Sequence, residues 1–120
     1  MKQILIVEDE NDLSSVCKQK LEREGFEVTV NSTADDAIRY LEQVIPDLII
    51  LDIILPGKLD GFDFFRAIKN NPKTASIPVV ILTNLDNKSQ VAKELGAVDY
   101  LIKTDISIQD LVRKVKQVLG

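Results

Sequence analysis

Unbroken apolar runs of strand length, separated by stretches of helical period, leave this chain very few folds to adopt. Ile4-Leu5-Ile6-Val7, Leu48-Ile49-Ile50-Leu51 and Val79-Val80-Ile81-Leu82 lack the polar alternation of a half-exposed strand, so they read as strands covered on both faces. The spacing predicts strands over residues 3–8, 26–30, 47–52, 77–83 and 98–103. Helices are predicted over 11–24, from Thr33 to Ile45 with Pro46 ending it, from Gly61 towards Pro72, over 87–95, and from Ile108 to Leu119. Asn11 or Asp12, Thr33 with Asp36, and Ser107 with Asp110 stand where N-caps belong, while Gly25 and Gly96 follow helix ends. Parallel strands need crossovers of helix length, and these helices supply them. The expectation is one α/β domain over residues 1–120, a doubly wound (βα)5 sandwich with helices on both faces of a five-stranded parallel sheet.

Composition narrows the function. A chain of 120 residues, 45% of them hydrophobic, can bury one core but not two. Its net charge of −4, from 15 basic and 19 acidic residues, argues against direct binding to nucleic acid, which calls for a basic face. No apolar run approaches the roughly 20 residues of a membrane span, and Met1-Lys2-Gln3 leads straight into a strand without a signal-peptide layout. A cytoplasmic protein is expected. The lone Cys17 shares helical spacing with Leu13, Val16 and Leu21 and reads as a buried apolar residue. Histidine is absent, so carboxylates, hydroxyls and lysine must carry any chemistry.

Those groups stand at strand ends. Glu8 and Asp9 follow the first strand, Asp52 the third, Thr83 the fourth and Lys103 the fifth. Parallel strands end on one edge of the sheet, where open α/β sheets bind ligands. A carboxylate after a strand is often only a turn or helix cap, a threonine only a good strand former, and a lysine only a solvated amine. Three carboxylates gathered at one edge would repel, however, and raise the pKa of at least one unless Lys103 or a cation compensates. Mg²⁺ suits such a site, being held by one or two carboxylates, water and a phosphate oxygen.

In these positions the chain resembles the receiver domain of two-component response regulators, from Lys2 to Leu119. The likeness rests on the acidic pair Glu8-Asp9, Asp52, Thr83, Tyr100 and Lys103 in order at their strand ends. It is supported by Leu55-Pro56-Gly57, Asp60-Gly61 and Gly96-Ala97 in the connecting turns. The resemblance implies a flavodoxin-like sheet of order 2-1-3-4-5. It implies that Asp52 accepts a phosphoryl group from a histidine kinase or a histidine phosphotransfer protein. Mg²⁺ would be held by Asp9, Asp52 and the carbonyl of Ile54, with Glu8 acting mainly through water. Thr83 and Lys103 would serve the transferred group, and Thr83 with Tyr100 would form the switch. Such a protein is a signalling module that catalyses only its own phosphorylation and dephosphorylation. Helix four, strand five and helix five would form its signalling and possible homodimer surface.

Departures from the family pattern are local. Glu8 stands where aspartate is commoner, Thr104 replaces the proline that normally follows the lysine, and the loops at 56–61 and after Lys103 are each a residue longer than usual. A cis bond before a non-proline residue costs about 2.5–4 kcal/mol, so the Lys103-Thr104 peptide is expected to be trans. Ile54 and Leu85 border the path of an attacking water and cannot orient it, which predicts slow self-dephosphorylation. An FMN carrier would need a phosphate loop unlike Glu8-Asp9-Glu10, and a haloacid-dehalogenase-type phosphatase would place Asp-x-Asp after strand one. A degenerate receiver that binds partners without phosphorylation is the remaining alternative. Because the chain ends one residue after Leu119, its output is expected to act on a separate downstream protein.

Overall fold

The computed structural model describes residues 1–120. Strands β1 (Gln3–Val7), β2 (Glu27–Asn31), β3 (Leu48–Leu51), β4 (Val79–Thr83) and β5 (Asp99–Ile102) alternate with helices α1 (Asn11–Arg23), α2 (Ala34–Leu41), α3 (Gly61–Lys69), α4 (Ser89–Glu94) and α5 (Ile108–Leu119). All strand pairs are parallel and the order is β2-β1-β3-β4-β5. The chain therefore reverses its direction of travel between β1 and β3, opening a crevice at their C-terminal ends.

Alternate strand residues feed two cores. Leu5, Val7, Ile49, Leu51, Val79 and Ile81 pack on one face against α2, α3 and α4 through Ala37, Phe64, Phe65, Ile68 and Ala92. Ile4, Ile6, Leu48, Ile50, Val80 and Leu82 pack on the other against Cys17 and Leu21 of α1 and Leu111, Val112 and Val115 of α5. Every residue of β3 and β4 is buried, as their unbroken apolar sequences require.

Several local expectations are corrected. Helix α1 is capped by neither Asn11 nor Asp12: Glu10 occupies the N-cap position, without a side-chain cap bond. Its buried face is Ser14, Cys17 and Leu21, whereas Val16 points away and is half exposed. Helix α2 ends at Leu41 rather than at Pro46, closing with turns from Glu42 and Gln43 to Arg39 and Tyr40. Ile45, which precedes the proline and is therefore biased away from helical geometry, is exposed. The caps at Thr33 and Ser107 form, with Asp110 completing a capping box at Ser107. Asp60 and Asp63 make a second such box at α3. The chain has no cis peptide, so the Lys103-Thr104 bond is trans.

Candidate functional site

Main-chain bonds between strand ends bring the polar residues together. The Glu8 amide donates to Asn31 O and the Asp52 amide to Val7 O, each at 3.0 Å, while the Lys103 amide donates to Thr83 O at 2.8 Å. These bonds extend the sheet beyond its last apolar residues, so Glu8, Asp52, Thr83 and Lys103 line one edge. Asp52 is 4% exposed and Thr83 fully buried. A carboxylate in such a place must be paired.

Its partner is Lys103. The ammonium lies 2.7 Å from Asp52 Oδ2, 2.7 Å from Glu8 Oε1 and 2.9 Å from Glu10 Oε1. The Ile54 amide donates to Asp52 Oδ1 at 3.0 Å, so both Asp52 oxygens are engaged. Burial opposes the charge on Lys103, but its three carboxylate partners together hold its pKa above the ordinary lysine value. For Glu8, burial outweighs the hydrogen bonds from Lys103 and the Glu10 amide and pushes the pKa up. Repulsion from Asp52 adds only a minor push in the same direction, against the attraction of Lys103.

The acidic cluster is Glu8, Glu10 and Asp52, one oxygen from each lying within 4.8 Å of the others. Asp9, the expected ligand, is exposed and makes no ion pair or side-chain hydrogen bond. Glu10, not among the expected site residues, lies beside Lys103. Strand β1 ends at Val7 and the chain bends at Asp9, leaving that side chain exposed while the Glu8 and Glu10 carboxylates reach Lys103. The acidic run Glu8-Asp9-Glu10 put Glu10 near this edge without marking which member would meet Lys103. Three carboxylates against one ammonium leave a surplus of negative charge in a largely buried site of hard oxygen donors. Hard oxygen donors at this edge, Glu8 and Asp52 among them, fit a divalent cation such as Mg²⁺, while Glu10 is engaged with Lys103.

Two further features bear on the site. Gly61 donates its amide to Ile53 O at 3.0 Å, and a Cβ there would lie 2.3 Å from Ile53 Cα and 2.4 Å from Asp52 O. Only glycine lets α3 begin against the backbone that carries Asp52. On the edge strand β5, the half-buried Tyr100 packs against the core and its hydroxyl donates to the Leu85 carbonyl. Burial pushes its pKa up.

A response regulator receiver domain family model matches residues 4–116. The chain belongs to that family. The receiver domain is 37% identical over 121 residues to the phosphate regulon transcriptional regulatory protein PhoB of Rhizobium meliloti, covering 99% of this chain and 52% of that protein. It spans about half the length of the relatives it matches. Among solved structures, a two-component response regulator from Clostridium difficile superposes with a TM-score of 0.89 at 30% identity, covering 99% of this chain and 96% of that one. The response regulator TrrA of Thermotoga maritima, solved in complex with Mg²⁺-BeF, gives 0.86 at 28% identity, covering 99% of this chain and all of that one. The receiver fold and its flavodoxin-like sheet order agree with the sequence expectation. No helix is long and apolar enough to cross a membrane.

Proposed function

We propose that this receiver is a phosphorylation-dependent switch whose acceptor is Asp52, within a single domain over residues 1–120. The observation that carries the reading is the buried Asp52 carboxylate held 2.7 Å from the Lys103 ammonium at a sheet edge also lined by Thr83. A carboxylate oxygen of Asp52 attacks phosphorus in line. The new O–P bond forms as the donor's P–N bond to phosphohistidine breaks, and the imidazole nitrogen keeps the electron pair. Lys103 and the Thr83 hydroxyl stabilise charge on the transferred oxygens. Asp52, the Ile54 carbonyl and Asp9, whose exposed carboxylate is free to turn towards them, would hold Mg²⁺, with Glu8 acting mainly through water, and the ion would supply further charge neutralisation. In dephosphorylation water attacks phosphorus, the O–P bond to Asp52 breaks, and inorganic phosphate and the free carboxylate result. Ile54 and Leu85 offer that water no side-chain hydrogen bond, which favours a long-lived phosphoryl group.

The donor is a histidine kinase or a histidine phosphotransfer protein in the cytoplasm, and the output is a changed affinity for a downstream protein. The readout surface, and the dimer surface if one forms, is the face of α4, β5 and α5. Val98 is half exposed on that face, whereas Lys114 and Lys116 are spent in ion pairs with Asp99 and Glu24. Incubation with a small phosphodonor and Mg²⁺ tests the reading: the native protein should be labelled and Asp52→Asn should not. Absence of labelling in the native protein would favour the degenerate receiver, and undiminished labelling of the variant would move the acceptor elsewhere.

A further inference from the structure

We infer that Glu10 is a latch on Lys103, occupying the ammonium until a phosphoryl group displaces it and so setting the affinity of the site for that group. The inference rests on the proposed phosphoryl acceptance at Asp52. An ammonium has three N–H donors, and three carboxylates lie within 2.9 Å of this one. Hydrogen bonds run to Glu10 and Asp52 and the Glu8 carboxylate lies against the rest of the ammonium, so an incoming phosphoryl oxygen finds no open side. One partner must let go, and the partners are unequal. Glu8 and Asp52 have side chains 4% exposed, whereas that of Glu10 is 58% exposed. Stripping the ammonium from a buried carboxylate leaves an uncompensated charge away from water. Glu10 simply rehydrates, at the small cost of an exposed ion pair.

A second observation points the same way. Glu10 holds the N-cap position of α1, where a short polar side chain would bond a first-turn amide, yet its carboxylate makes no cap bond and reaches across to a residue 93 positions away. Helices α2, α3 and α5 have side-chain caps, and the short α4, begun by Lys88, has none. A local rule broken beside the acceptor marks a side chain committed to another task. Glu10 is therefore a positioning residue. It acts on the phosphoryl group only through Lys103.

Charge and contact are separable at this position. Glu10→Ala removes both, whereas Glu10→Asp keeps the charge but shortens the arm and favours the cap bond that glutamate forgoes. Beryllofluoride, titrated at saturating Mg²⁺ and followed by NMR, probes the phosphoryl site. Both variants should bind it about two- to fivefold more tightly than the native protein, the range of an exposed ion pair released. In metal-free protein the 15N signal of the Lys103 ammonium should shift and its protons should exchange faster in both, while Glu10→Asp should keep native Mg²⁺ affinity. Unchanged or weaker beryllofluoride binding by Glu10→Asp, or an unmoved Lys103 signal, would overturn the latch. Weakened Mg²⁺ binding by Glu10→Asp would overturn it by making Glu10 an ion ligand. Failure of the native protein to bind beryllofluoride would instead remove the reading beneath it.

Discussion

Each residue at the polar edge of the sheet is held by a balance that a substitution can tip in a known direction. Glu8 has its pKa raised above the ordinary 4.5, chiefly by burial. The stability linked to its protonated form is full below that ordinary value and is lost as pH rises through the higher folded-state value. Glu8→Gln copies the shape of the protonated acid, so the metal-free variant should be more stable than the native protein at neutral pH. The difference should vanish below about pH 4, and Mg²⁺ should narrow it. Urea denaturation across pH checks all three outcomes. Lys103, also raised, keeps its contribution below its ordinary 10.5 and loses it only in stronger alkali. Gly61 is governed by space rather than charge. Gly61→Ala drives a methyl into Ile53 Cα and Asp52 O and should cost about 1–3 kcal/mol as overpacking does, with a matching loss of labelling at Asp52. Native-like labelling by that variant would show that β3 tolerates the shift.

At the scale of elements, helix ends decide how firmly the loops beside the site are anchored. The capping box of Asp60 and Asp63 closes the loop at 56–60 and starts α3 against the backbone that follows β3. Asp60→Ala should lower stability by about 1 kcal/mol, read as a lower urea midpoint with unchanged slope. The turn after β5 is similarly short and bonded, since the Asp105 amide donates to Ile102 O at 2.9 Å. Thr104 is accommodated there in a trans chain while Lys103 still reaches Asp52. The extra residue after Lys103 thus lies outside the contacts that hold the ammonium.

For the whole molecule, the question is how an event at Asp52 reaches the far edge of the sheet. Thr83 and Lys103 are joined by a main-chain bond, the Leu85 amide donates to Thr83 Oγ1 at 3.4 Å, and the Leu85 carbonyl accepts from the Tyr100 hydroxyl. A phosphoryl group that draws the Thr83 hydroxyl must compete for the group Leu85 now contacts. The Tyr100 ring already packs inward, so the proposed phosphorylation would act by shifting populations towards an arrangement the chain can adopt by itself. Thr83→Ala should leave Asp52 able to accept phosphate while weakening the response at Tyr100. NMR spectra with and without beryllofluoride should show changes across residues 84–105 in the native protein. Unchanged signals there would exclude this route.

The order and type of all ten elements were legible in the sequence because hydrophobic period is local: two for a strand, 3.6 for a helix, and unbroken for a strand buried on both faces. The same logic located Asp52, Thr83 and Lys103, since a polar residue that ends a central strand must lie at the sheet's edge. Helix α2 was read too long because Ile45 continues the apolar spacing, although the chain leaves the helix at Leu41. Only the tertiary structure decided the company kept at the edge. Lys103 meets Glu8, Glu10 and Asp52 because three chain segments far apart in sequence converge there. No local pattern could choose Glu10 over Asp9 as the partner of a lysine 93 residues away, since that choice depends on the direction in which the chain leaves β1 and on the reach of two long side chains across a crevice.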